Sequence, residues 1–200
     1  MHVIFFMLIN LSIKAQNYYN VNNQPITQQE FDSLKLFKYH QIVKNDSLQA
    51  YKLIDACYSR EIGSLGDPKN LLRELNEKLN LKLDDSKPLI IYYYPGKDLC
   101  NSSDTATRQS KIKWYKQLGK KIKRVADVNT IMLYKNSEGI KTLEDFNWKK
   151  DPNGLIENLF FNYHYDCGSY VIINNDKYGA YFGEYVQAQV VESLIEILKK

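Results

Sequence analysis

Six consecutive residues, Leu89-Ile90-Ile91-Tyr92-Tyr93-Tyr94, are all apolar or aromatic, and Pro95-Gly96 stops them at once. The run is too short for a buried helix, shows no polar alternation, and is rich in β-branched and aromatic side chains. It therefore predicts a strand buried on both faces. A strand of that kind needs a covering layer on each side, which points to an α/β domain.

The residues that follow extend this pattern. A loop through Cys100 leads to Ser103 or Asp104 as the N-cap of a lysine-rich helix, and Thr130-Ile131-Met132-Leu133-Tyr134 reads as a second buried strand. Strand, helix and strand imply a right-handed parallel unit. Asp151-Pro152 caps a further helix carrying Leu155, Ile156, Leu159 and Phe160. Tyr170-Val171-Ile172-Ile173-Asn174, the turn Asn175-Asp176-Lys177, and the stretch Tyr178 to Phe182 predict a hairpin, and Val186 to Leu198 an amphipathic closing helix. The order over residues 87–200 is β-α-β-α-β-β-α, with a mixed sheet.

Residues 16–86 read as a polar leader followed by a helical extension. Thr27 and Glu30 form a capping-box pair ahead of Phe31, Leu34 and Phe37. A second helical pattern runs through Leu48, Tyr51, Leu53, Ile54 and Tyr58, broken by Gly63 and Gly66. Asp67-Pro68 opens a third helix with Leu71, Leu72, Leu75 and Leu79 on one face.

The first fifteen residues have a separate meaning. Val3 to Ile13 is an apolar run too short to span a bilayer as a helix, and Lys14-Ala15-Gln16 follows it with a small residue where a signal peptidase would cut. Cleavage after Ala15 leaves a mature chain starting at Gln16 in the periplasm or outside the cell. Uncleaved, this segment would be the only membrane contact. The net charge of +4 is mild, and much of it lies on one segment from Lys111 to Arg124 whose apolar residues fall on the opposite helix face. A solvated helix surface explains that pattern. Together with export, it argues against a nucleic-acid partner.

Two stretches resemble the thioredoxin fold over roughly residues 87–199: Lys87 to Tyr94, which is similar to the strand entering the active-site loop, and Ser169 to Glu184, which is similar to the final hairpin of exported thioredoxin-like proteins. In place of the family's C-x-x-C stands Pro95-Gly96-Lys97-Asp98-Leu99-Cys100-Asn101, with one thiol. In place of the cis-proline stands Cys167-Gly168-Ser169. Without a resolving cysteine the local dithiol exchange cannot proceed. Tyr94-Pro95 followed by a lone cysteine also resembles the peroxiredoxin loop, although the spacing is shorter and Lys97 replaces that family's threonine. Lys97 or Arg108 would then supply the cation that a reactive thiolate needs.

The resemblance implies that the loops holding Cys100 and Cys167 meet, so these two form a disulfide across 67 residues (167 − 100) in an oxidising compartment. They are also the candidate catalytic pair. Of the three cysteines, Cys57 is left over and reads as a buried apolar residue. His164-Tyr165-Asp166-Cys167 contains too few ligands for a closed zinc site, so no metal is expected there. Gly63-Ser64-Leu65-Gly66 lacks the lysine of a phosphate loop, no dinucleotide fingerprint or nucleophile elbow occurs, and no cofactor is expected. The preferred function is a binding or assembly role toward an unidentified protein or thiol partner. The alternative is a thiol-based redox protein using Cys100 and Cys167.

Overall fold

A computed structural model describes residues 16–37, 40–45, 47–55, 60–102, 107–140 and 146–199. The segment read as a signal peptide, Cys57 and the two cap candidates Ser103 and Asp104 lie outside these residues. The chain divides into two compact units, Met1–Ala56 and Cys57–Lys200. Both contain sheet and helix, and the larger is an α/β unit built on a mixed sheet. No helix among the described residues is long and apolar enough to cross a membrane.

In the smaller unit, β1 (Asn17–Tyr19), β2 (Pro25–Ile26), β3 (His40–Asn45) and β4 (Ala50–Asp55) form a sheet in the order β2-β1-β4-β3, with α1 at Gln28–Leu34. The Thr27 hydroxyl accepts from the Glu30 amide at 3.2 Å, and the Glu30 carboxylate accepts from the Thr27 amide at 2.8 Å, so the expected capping box is present. Phe31 is buried against Tyr18, with ring centroids 4.9 Å apart, while Phe37 lies beyond the helix and is exposed.

The helix expected through Leu48, Tyr51, Leu53 and Ile54 is instead the end of a turn and the strand β4. Ile42 pairs with Leu53 and Gln41 with Ile54, antiparallel. The turn explains the error: the Asn45 side chain accepts from the Leu48 amide at 2.9 Å, and Gln49 adopts a left-handed conformation, so the chain reverses where an unbroken helix was read. Apolar residues in so short a window fit either period, and pairing decided for strand.

In the larger unit, β5 (Arg60–Ser64), β6 (Leu89–Tyr94), β7 (Asn129–Tyr134), β8 (Lys149–Lys150), β9 (Ser169–Asn174) and β10 (Lys177–Tyr181) run in the order β5-β10-β9-β6-β7-β8. The central β6 is buried along its whole length, parallel to β7 and antiparallel to β9, as its composition predicted. Gly63, read as a breaker, lies within β5 opposite Tyr178. A Cβ there would come within 2.6 Å of the Tyr178 ring, so the glycine makes room for its cross-strand neighbour.

Among the described residues, five α-helices accompany this sheet: α2 (Pro68–Leu79), α3 (Leu99–Ser102), α4 (Arg108–Lys123), α5 (Leu155–Phe160) and α6 (Gln187–Lys199). Asp67 caps α2, whose Leu71, Leu72 and Leu75 are buried. The cap of α4 is Thr107, whose hydroxyl accepts from the Ser110 amide. On one face of the sheet Ile90, Tyr92, Met132, Tyr170 and Ile172 pack with Leu118 and Ile122 of α4 and with Val190, Leu194 and Ile197 of α6. Alternation sends Tyr93 to the opposite face, where it stacks on Phe161 at 4.9 Å. The buried Asp151 carboxylate accepts from the Ile156 and Glu157 amides at 3.1 and 2.9 Å and so fixes the start of α5.

Candidate functional site

Beyond Tyr94 the chain leaves the sheet through Pro95-Gly96 and enters α3 with Asp98 in the capping position. The Asp98 and Asn101 side chains accept from each other's amides at 2.9 and 3.0 Å, and the Asn101 amide group donates to the Gly96 carbonyl at 2.9 Å. This closed set of bonds fixes the short turn that carries Cys100. The second carboxylate oxygen of Asp98 accepts from the Cys167 amide at 2.9 Å, which joins this loop to the one before β9.

Cys100 and Cys167 are disulfide-bonded, with Cα atoms 5.2 Å apart across 67 residues. The pairing expected from the fold resemblance is therefore present. Cys167 has φ +69°, and Gly168 brings its backbone so close to β6 that a Cβ would lie 3.2 Å from the Tyr93 carbonyl oxygen. A side chain at position 168 would push this loop away from β6. The Glu184 carboxylate lies within 4.8 Å of both sulfurs. A negative charge there disfavours a thiolate on either cysteine after reduction.

Lys97, one candidate for stabilising a thiolate, has its ammonium 3.8 Å from Glu138. His164 lies with Nε2 3.5 Å from Asp98 and 3.6 Å from Asp166, both beyond good hydrogen-bond length. Its sequence neighbour Cys167 is committed to the disulfide, so no Cys/His nucleophile pair is assembled.

Both disulfide cysteines line an open groove of about 480 Å³. Trp114 and Tyr115 of α4, Trp148 before β8, Tyr94 at the end of β6 and Tyr185 before α6 supply aromatic walls, with Ile140 and Glu184 also lining it. The rings support each other: Trp114 meets Tyr115 edge-on at 4.9 Å, and Tyr115 meets Trp148 at 6.3 Å. The hydroxyls are not poised for proton transfer. Burial pushes Tyr115 up to about 12, and burial with the Asp98 and Glu138 charges pushes Tyr94 up to about 12. The Tyr94 hydroxyl donates to the Glu138 carbonyl at 2.8 Å. These groups are neutral near pH 7 and contribute shape and apolar surface.

A separate depression of about 560 Å³ is lined by Lys78, Lys135, Lys149 and Lys150 around Asp151, but Lys78 and Lys135 are engaged with Glu74 and Glu157. It holds no nucleophile among its lining residues.

Sequence reasoning missed Asp98, Glu184 and the groove. The Asp98-Leu99-Cys100-Asn101 spacing is a cap signal that would have found the first. Nothing local marks Glu184, and the groove's walls come from separate segments. Comparison with protein-family models, curated proteins and solved structures gave no match.

Proposed function

We propose that this chain is an exported thioredoxin-like protein that works by binding rather than by thiol exchange, using the aromatic groove beside a structural disulfide. The strand order β10-β9-β6-β7, with β6 and β7 parallel and a hairpin on the other side, supports the fold reading. So does a disulfide between the loop leaving the first strand of that core and the loop entering its hairpin.

One observation carries the functional reading: the two cysteines are spent on each other, with the Glu184 carboxylate within 4.8 Å of both sulfurs. Exchange chemistry needs an attacking thiolate, and a carboxylate that close disfavours one on either cysteine. The groove offers an apolar surface of rings, which suits an aromatic or aliphatic side chain of a protein partner, with Lys111 and Glu184 among its lining residues. Export would supply the oxidising conditions in which the disulfide persists.

The redox alternative has one observation in its favour, since both cysteines line an open groove that a small thiol can enter. Insulin reduction and peroxide consumption by the purified protein separate the two readings. The binding reading expects no turnover above buffer. A measured turnover that Cys100→Ser abolishes would replace it with the redox one.

A further inference from the structure

We infer that Asp98, His164 and Asp166 form a binding site for a single Zn2+ ion beside the disulfide. The three side chains come from two loops, and their nearest donor atoms all lie within 4.8 Å of one another. His164 Nε2 lies 3.5 Å from Asp98 Oδ2 and 3.6 Å from Asp166 Oδ1. An imidazole that simply paired with a carboxylate would close to about 2.8 Å. It is instead nearly equidistant from two carboxylates, both too far for a strong hydrogen bond. Metal–ligand distances of about 2.0 to 2.2 Å place tetrahedral zinc ligands about 3.3 to 3.6 Å from each other. Octahedral ligands at the same bond length stand closer, about 2.9 Å apart.

The outer contacts suit the same reading. The Asp98 side chain is 8% exposed and held in plane by the Asn101 and Cys167 amides, one on each oxygen. An amide bond leaves the Oδ2 atom a second lone pair for a metal, and fixing the carboxylate in this way is what outer-shell bonds do in metal sites. His164 is 36% exposed and Asp166 70%, so an ion can enter and Asp166 can close over it. One imidazole and two carboxylates, with no cage of carbonyl oxygens, favour zinc over calcium or magnesium. Three protein ligands leave a fourth position for water. The ion would tie the loop of Cys100 to the loop of Cys167 in parallel with the disulfide.

The test is calorimetric titration of ZnCl2 into the full chain carrying Cys57→Ala, without reductant, so that no thiolate competes. The expected result is one saturable site per chain, weakened about tenfold or more by His164→Ala and by Asp166→Asn, and unchanged by His40→Ala. Asp166 is exposed, so its variant tests the site without endangering the fold; Asp98 is avoided because it holds the loops. A zinc-dependent rise in melting temperature, present in the parent and absent in His164→Ala, is the second expected readout. No saturable binding, or binding unaffected by His164→Ala and Asp166→Asn, or loss in His40→Ala to the same degree, would overturn the assignment.

Discussion

In the smaller unit the one buried residue of α1, Phe31, packs on Tyr18 and Tyr51 with ring centroids 4.9 and 6.4 Å away, beside strands of two to six residues. In the larger unit a six-stranded sheet carries a continuous layer of apolar residues under two helices, and a disulfide joins the loops at the ends of β6 and β9. One region joins local anchors, a capping box and an Asn45 turn, to a small core of Phe31, Val43, Leu53 and Ile54. The other depends on burial and adds a covalent link where its candidate site lies. The contrast places the rigid surface, and the function proposed for it, in the larger unit.

Removing the disulfide should break the comparison most sharply. In the chain-entropy model a closed loop of this length contributes about 4 kcal/mol, so Cys100→Ser should destabilise the larger unit by that order. Native-state hydrogen exchange should show lower opening energies for β6 and β9 amides, with β3 and β4 unaffected. Phe31→Ala comes next: losing a buried phenyl ring costs about 3 kcal/mol or more. Here the β1 and β4 amides should lose protection while those of β6 and β9 keep theirs.

A smaller effect separates two buried tyrosines of one cluster. Tyr170 is hydrogen-bonded to Ser193 at 2.9 Å, whereas the Tyr92 hydroxyl is buried with no partner among the described residues. An unmatched buried hydroxyl costs about 1 kcal/mol or more. Tyr170→Phe should therefore lower stability by about 1 kcal/mol and strand the Ser193 hydroxyl, while Tyr92→Phe should raise stability by a similar amount. Urea unfolding of the two variants compares them directly, and equal signs would refute this account of the cluster.

The smallest expected effect is in pH dependence, and its sign differs between the units. Hydrogen bonds from the Thr27 amide and then its hydroxyl hold the Glu30 carboxyl below its ordinary value of 4.5. The capping box therefore adds stability that is present above that value and lost as pH falls through the lowered one. Burial, outweighing the Glu157 and Ile156 amides, raises Asp151 above its ordinary 3.8. The unfolded chain then releases this proton first, so stability falls as pH rises from 3.8 toward the raised value. Asp151→Asn should flatten that fall, and Glu30→Gln the opposite one, in unfolding curves taken across the acid range.

The elements that could be read from sequence share a physical feature. β6, β7 and the β9–β10 hairpin are apolar runs ended by turn residues, and α1, α2 and α5 announce themselves by Thr27, Asp67 and Asp151. The strands that escaped notice, β1 to β5 and β8, are two to six residues long, show no sustained apolar run, and owe their form to partners. The Cys100–Cys167 pair was legible only through the fold resemblance, because no local pattern links residues so far apart. Asp98 was hidden for the opposite reason: its cap role is local, but its bond to the Cys167 amide is not.

The claim that this disulfide is a structural staple is tested most directly by its reduction potential. Folded protein is equilibrated with dithiothreitol redox buffers, trapped by alkylation, and the Cys100–Cys167 peptide pair is quantified by mass spectrometry. A staple beside the Glu184 carboxylate is expected to have a potential below about −300 mV, resistant to reduction by glutathione. A value near those of dedicated exchange proteins, about −120 to −270 mV, would contradict the staple and make the pair a working redox centre.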